Sequence, residues 1–303
     1  MIKYLSLLRV NYYFKNIIIF IGFLCNIYLQ NYSLDLNSVL IVLIHIMLFS
    51  FGSSSNYIIN EYTDRINDQY HPDKNKRFFR KKKINLKLIF IIYLIFLFIP
   101  STIIFYLNKI NFIIFFFYIL LGLIYNIKPI RTKDIKLLDA TCEGLNAPLR
   151  FIYGYFIIPT NLNIPITLVI FTTFLGILLM TIKRHTEYKT IKKKQLLKFR
   201  KTLIFYNLYN TIIVCTICIV FMFFFLGIFI YKYNLNLIPV FILLLLFTIN
   251  YFKFYLNPSQ KKFNSINPLS YKFNILIVFL ILLLFYFNIE KKEIEILEFF
   301  RIK

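Results

Sequence analysis

The sequence is poor in what most soluble functions require. Only 16% of its 303 residues are charged, against roughly a quarter in ordinary soluble domains, and only thirteen are acidic. A soluble enzyme or a disordered tail is excluded by the other side of that balance. The chain is 59% apolar and holds thirty-seven Phe, more than one small globule can hide. Four cysteines are too few and too scattered for a disulfide framework. Cys215 and Cys218 form a C-x-x-C, but the stretch around them is apolar and has no charge to stabilise a thiolate, so they read as small buried residues. There is no Gly/Ser linker, no short-period repeat and no Ser-His-Asp or Cys-His arrangement. Trp is absent; with the heavy use of Ile, Asn, Lys, Phe and Tyr, this reads as coding bias without functional content.

What is present is a series of apolar runs. A helix needs roughly 20 apolar residues to cross a bilayer, and nine segments approach that length: about 14–31, 37–60, 86–107, 110–127, 138–160, 163–182, 203–230, 235–252 and 272–289. The expectation is an all-α integral membrane protein, one transmembrane domain over residues 1–303 with nine helices. The first run is preceded by basic residues like a signal peptide, but it lacks a small-residue cleavage site and more runs follow, so it reads as a retained helix. The net charge of +23 does not indicate nucleic acid, because the basic residues sit in short loops facing lipid headgroups. Twenty-nine of the thirty-six Lys and Arg fall on one side of the nine-helix arrangement and six on the other, Arg150 lying inside a run. That asymmetry predicts a cytoplasmic N-terminus and an outside C-terminus. Residues 289–303 mix Glu and Lys with apolar side chains and suggest a short interfacial helix.

With so few acids, their placement is informative. The second run ends in Asn60-Glu61-Tyr62-Thr63-Asp64, followed by Asp68. On one continuous helix, Asn60, Asp64 and Asp68 share a face, with Glu61 beside them. Carboxylates stacked in this way repel one another unless they share a cation, and an oxygen-only set suits Mg²⁺, which bridges carboxylates to substrate phosphates. The alternative is a solvated helix end. Pro72 then breaks the helix and returns Lys74, Lys76 and Arg77 over the acids, where cations neutralise phosphate oxygens. His71 reads as a packing residue at the turn, and the run Arg80–Lys83 as a headgroup anchor. Arg150 lies inside an apolar run, with Asp139 near one end of that run and Glu143 as its nearest candidate partner. An intramembrane Arg is a candidate functional residue. His45 reads as a hydrogen-bonded core residue.

The Asn60-Glu61-x-x-Asp64-x-x-x-Asp68 stretch resembles the first aspartate-rich motif, N-D-x-x-D-x-x-x-D, of the UbiA superfamily of intramembrane prenyltransferases, with Glu61 standing where that pattern has Asp. Further segments are similar to its polyprenyl-phosphate phosphoribosyltransferase branch (decaprenyl-phosphate phosphoribosyltransferase-like). Leu8-Arg9 with Phe14-Lys15-Asn16 resembles L-R-P-x-x-W-x-K-N without its Pro and Trp. His71-Pro72-x-Lys74-x-x-Arg77 resembles H-P-x-K-x-x-R-P. Residues 133–154 resemble K-x-x-x-x-L-D…G…L-R-x-x-x-G, with Asp139, Gly144, Arg150 and Gly154 matching. Lys183-Arg184-x-x-Glu187 resembles K-R-x-x-E. The likeness covers roughly residues 8–190 in order.

The resemblance implies a UbiA-type bundle in the cytoplasmic membrane of a prokaryote, with its active site on the cytoplasmic side. It implies Mg²⁺ as cofactor, held by Glu61, Asp64 and Asp68. Asp64, Asp68, Lys183 and Arg184 are then the expected catalytic residues. Lys15, Asn16, Asn60, Lys74, Arg77, Asp139, Arg150 and Glu187 are the expected substrate-binding residues. Relatives that use prenyl diphosphates carry a second D-x-x-x-D where this chain has Lys183 and Glu187. A cation there points to direct phosphate contact and to transfer of 5-phosphoribose from phosphoribosyl diphosphate to a polyprenyl phosphate. The bland reading is an i,i+4 Lys183–Glu187 pair. Two other functions stay open: prenyl transfer from a prenyl diphosphate to an aromatic or other small acceptor, and a membrane transporter.

Overall fold

The computed structural model describes residues 6–30, 32, 34–81, 85–160, 163–233, 237–256, 276–277, 279–281 and 283–284. Every regular element among them is helical. Short 3-10 helices at Ser6–Leu8 and Val10–Asn16 lead into α1 (Ile17–Gln30). There follow α2 (Leu36–Asp64), α3 (Leu86–Leu107), α4 (Lys109–Asn126), α5 (Leu138–Gly144), α6 (Asn146–Tyr155), α7 (Ile166–Thr190), α8 (Lys193–Phe199), α9 (Leu208–Tyr233) and α10 (Ile238–Leu256).

Several helix starts are written in the sequence. The Asp35 carboxylate accepts the Ser38 N–H at 3.1 Å and caps α2, and the Asn85 side chain does the same for α3 through Leu88 N–H at 3.3 Å. Asn108 ends α3 and starts α4, its side-chain oxygen accepting from Ile110 N–H (2.9 Å) and Asn111 N–H (3.2 Å). Each cap satisfies donors that a helix leaves open at its first turn.

Six helical stretches among the described residues are long and apolar enough to cross a membrane: Ser6–Gln30, Leu36–Asp64, Leu86–Leu107, Lys109–Asn126, Ile166–Thr190 and Leu208–Tyr233; Ile238–Tyr251 is a shorter apolar one. The chain is a multi-pass membrane protein. The expected fifth span, 138–160, is not one helix. It divides into α5 and α6 at Leu145. Pro148 is the reason: a proline ring clashes with the carbonyl four residues earlier, here that of Gly144, but is tolerated in a helix's first turn. The second span runs one turn further than expected, to Asp64. Most of the expected ninth span, and the whole of 289–303, lie outside the described residues.

Two crossings bring the site-bearing helices close. At Gly22 of α1 and Gly154 of α6, an added Cβ would collide with the backbone of the other helix, at Phe151 and Ile19. At Gly144 of α5 and Gly176 of α7, it would collide with the facing glycine's own backbone. Small residues let membrane helices approach to backbone contact. These contacts fix α6, which carries Arg150, against α1, and α5, which carries Asp139 and Glu143, against α7, which carries Lys183, Arg184 and Glu187.

Candidate active site

The acidic residues at the end of α2 do not form one helical stripe. The helix ends at Asp64, and Asp68 sits in the 3-10 turn Asn67–Tyr70 that follows. Each carboxylate has its own cation. Glu61 accepts from Arg9 Nη2 (2.9 Å) and Nε (3.3 Å) on Oε2, and from the Phe78 N–H (2.8 Å) on Oε1. Asp64 Oδ1 lies 2.6 Å from Lys133 Nζ and 3.1 Å from Arg131 Nη2. Asp68 Oδ2 accepts from Arg77 Nη1 at 2.7 Å. Asn60, half-buried one turn before Asp64, accepts the Thr63 hydroxyl on its carbonyl. Among the described residues, no three His, Cys, Asp or Glu side chains are gathered around one metal position.

Asp68 nevertheless keeps capacity for a cation. Its Oδ1 is buried without a hydrogen-bond partner among the described residues. Burial pushes its carboxyl above the ordinary value, against the pull of Arg77 and Lys74, and the Asp64 charge adds to the rise. A buried carboxylate oxygen with no donor, electrostatically coupled to a second carboxylate, fits the one or two carboxylates that Mg²⁺ takes when substrate phosphates complete its shell.

The loop after α2 folds inward. His71 Nδ1 accepts from the Asp73 and Lys74 N–H groups (3.1 and 3.2 Å), and its ring packs on Phe199 of α8. That turn directs Lys74 to Glu187 of α7, Nζ to Oε1 2.6 Å. Burial lowers Lys74 to about 7, with the Glu187 charge opposing the shift.

A second cluster occupies the α5–α7 crossing. The Arg184 guanidinium is enclosed by three carboxylates: Glu143 at 2.6 Å, Glu187 at 3.1 Å and Asp139 at 3.2 Å. It also donates to the Tyr125 hydroxyl at 2.6 Å. Lys183 pairs with Glu143 at 2.7 Å, so the i,i+4 Lys183–Glu187 pair does not form. Asp139 is fully enclosed and accepts from Tyr206 and Thr202 of the segment before α9. Arg200 approaches from that segment too, 3.3 Å from the Tyr125 hydroxyl and 4.0 Å from Asp139.

Arg150 sits apart from the acids. It donates to Asn16 Oδ1 (2.7 Å), the Asn146 carbonyl (3.0 Å) and the Tyr118 hydroxyl (3.1 Å). Glu143, expected as its partner, is held by Lys183 and Arg184 instead. Asn16 donates in turn to Ser50 at 2.7 Å. Lys15 precedes it, its Nζ 5.1 Å from the Tyr12 ring. His45 meets the Tyr153 hydroxyl at 2.9 Å in the core.

The sequence reading missed Arg131, Arg200, Tyr125, Tyr118, Thr202 and Tyr206, and used Arg9 and Lys133 only as matching letters. A loop Lys or Arg looks the same in sequence whether it turns to headgroups or inward. The one usable signal was the third acid after Asn60: three carboxylates in a low-dielectric setting call for several cations, and the neighbouring loops are rich in them.

A family model described as the UbiA prenyltransferase family matches residues 18–276. Among solved structures, the chain is similar to a UbiA homolog from Archaeoglobus fulgidus bound to DMAPP and Mg²⁺, at 18% identity and TM-score 0.71 over 95% of this chain and 99% of that one. A structure of that homolog bound to GPP and Mg²⁺ gives 20% identity and TM-score 0.66, with the same coverage. A structure reported for digeranylgeranylglyceryl phosphate synthase gives 20% identity and TM-score 0.63 over 95% of this chain and 98% of that one. At these identities the structural likeness is one of fold. No curated protein matches the chain significantly.

Proposed function

The chain belongs to the UbiA prenyltransferase family, and from that premise we propose that it transfers 5-phosphoribose from phosphoribosyl diphosphate to a polyprenyl phosphate, with Mg²⁺, at the cytoplasmic membrane surface of a prokaryote. Membership makes it a transferase and removes the transporter alternative. The observation that carries the donor assignment is the charge balance. Among the described residues, Arg9, Lys15, Lys74, Arg77, Arg131, Lys133, Arg150, Lys183, Arg184 and Arg200 meet seven carboxylates, Glu61, Asp64, Asp68, Asp134, Asp139, Glu143 and Glu187. Ten cations against seven acids leave three positive charges for substrate anions. Phosphoribosyl diphosphate with a lipid phosphate brings more phosphate than a prenyl diphosphate does.

Asp68, through Oδ1, and Asp64 would hold the Mg²⁺ found with diphosphate substrates in the A. fulgidus neighbours, and the ion supplies positive charge to the departing diphosphate. Glu61, with both oxygens engaged, instead fastens Arg9 and the start of the Phe78 turn to α2. Lys74, Arg77 and Lys183 neutralise phosphate oxygens, while Arg184 positions Asp139, Glu143 and Glu187. The bond from ribose C1 to the diphosphate oxygen breaks, and diphosphate leaves with the electron pair. An oxygen of the lipid phosphate bonds to C1. The acceptor is already anionic, so no proton has to move, and catalysis is leaving-group stabilisation and positioning.

Prenyl transfer from a prenyl diphosphate is the second reading, favoured by the DMAPP- and GPP-bound neighbours. Membranes carrying the protein are incubated with labelled phosphoribosyl diphosphate and polyprenyl phosphate, and separately with prenyl diphosphate and 4-hydroxybenzoate. Labelled lipid in the first mixture alone is expected; prenylated aromatic in the second alone overturns the donor assignment.

A further inference from the structure

Eight of the ten basic side chains of the site have a carboxylate within 4.0 Å. Lys15 and Arg150 are the two without one among the described residues. Arg150 is only 5% exposed, and its three bonds go to neutral acceptors on the 3-10 helix before α1, on α4 and on α6. A guanidinium has five N–H donors, so two remain beyond those bonds. The Phe49 and Tyr118 rings flank it at 5.9 and 5.1 Å. Lys15 lies within electrostatic range of Lys183, Glu143 and Arg150, and Tyr57 of α2 lies within range of Arg150 and Glu143.

A buried guanidinium and a half-buried ammonium in a membrane bundle, neither with a carboxylate within 4.0 Å among the described residues, are costly, and an incoming anion lowers that cost. Among the described residues no three His, Cys, Asp or Glu side chains are gathered for a metal, so the anion meets N–H donors directly. The surroundings also suit a lipid. Asn16 immediately precedes α1 and Arg150 belongs to α6, and the buried faces of these two helices form one apolar cluster with α2 and α4.

We propose that Lys15 and Arg150 bind the phosphate headgroup of the lipid acceptor, at a position separate from the donor diphosphate at Asp64 and Asp68. This rests on the reading of the acceptor as a polyprenyl phosphate. Separate anion positions leave the attacking phosphate oxygen free to approach ribose C1 from the side away from the leaving diphosphate oxygen, as a displacement with concerted bond making and breaking requires.

The test is binding without turnover. Purified protein in detergent is titrated with farnesyl phosphate, with farnesol, and with inorganic diphosphate plus Mg²⁺. Wild type is expected to bind farnesyl phosphate at least about tenfold more tightly than farnesol, the scale of a charge-assisted hydrogen bond. Arg150→Gln and Lys15→Gln each erase that preference and leave diphosphate binding unchanged, while Asp68→Asn weakens diphosphate binding and spares farnesyl phosphate. Arg150→Lys, which keeps the charge, retains part of the preference. Lys15, at a half-buried turn, serves as the test if Arg150→Gln does not fold. Equal binding of phosphate and alcohol by wild type overturns the proposal, as does a diphosphate defect in the Lys15 variant with farnesyl phosphate unaffected. Failure of phosphoribosyl transfer with the phosphate preference intact removes the donor assignment and leaves this site standing.

Discussion

Lys74 and Glu187, 113 residues apart, meet at 2.6 Å and tie the loop after α2 to the last turns of α7. Both side chains are shielded, at 11% and 0% exposure. The proton on Lys74 is therefore held mainly by the charge it faces, against burial that lowers it to about 7. Its positive form dominates below that value and is lost as pH rises through it.

The donor kcat/KM should accordingly fall as pH rises through about 7. In Lys74→Arg, whose charge persists above pH ~12, the falling limb should disappear. Profiles measured from pH 6 to 9 with wild type and this variant decide the point; an unchanged limb in Lys74→Arg would assign it to another group.

Asp64→Asn and Asp68→Asn should each abolish transfer, with Asp68→Asn also raising the Mg²⁺ concentration needed for any residual rate. Glu61→Gln should act differently. It weakens the hold on Arg9 and the Phe78 N–H, lowering the melting temperature by the loss of a buried charge partner, about 3–5 kcal/mol at most, with the Mg²⁺ dependence of the rate unchanged. Rates over a Mg²⁺ titration, beside melting curves, separate the two behaviours.

Lys183→Asp should reduce phosphoribosyl transfer by roughly 10²-fold, since a carboxylate there repels both Glu143 and substrate phosphate. Because Lys183 pairs with Glu143 rather than Glu187, exchanging the charges of 183 and 187 should not restore activity. Restoration, read as turnover in Lys183→Glu/Glu187→Lys, would mean that the two residues act as a simple surface pair.

Gly176→Ala should destabilise the protein by about 1–3 kcal/mol, the usual cost of overpacking, because its Cβ would meet the Gly144 backbone. Gly227→Ala is the control. Nothing lies within 4 Å of a Cβ there, and removing a mid-helix glycine should stabilise α9 by about 0.5–1 kcal/mol. Thermal unfolding in one detergent compares the two.

Six of the nine expected spans were legible because bilayer thickness translates directly into run length, and the acids stood out because they are rare in such a chain. The division at Leu145 was also written in the sequence, as a proline four residues after Gly144, but apolar run length outweighed it. Cross-chain partners were not legible. Arg9 with Glu61 and Lys74 with Glu187 depend on where helices cross, and spacing along one element says nothing about a second. Asp68 shows the limit from the other side: its i+4 spacing from Asp64 is correct, yet the helix it presumed had already ended.

The Gly144–Gly176 crossing also bears on how such a sequence can change over time. Leu, Ile and Phe facing lipid are interchangeable at little cost, so most of this chain is free to drift. At the crossing, a single added methyl group separates α5 from α7 and, with them, Glu143 from Lys183 and Arg184. The ionic geometry of the site thus depends on two positions that carry no charge and no side chain, and a substitution there would register as lost activity long before it altered any residue that touches substrate.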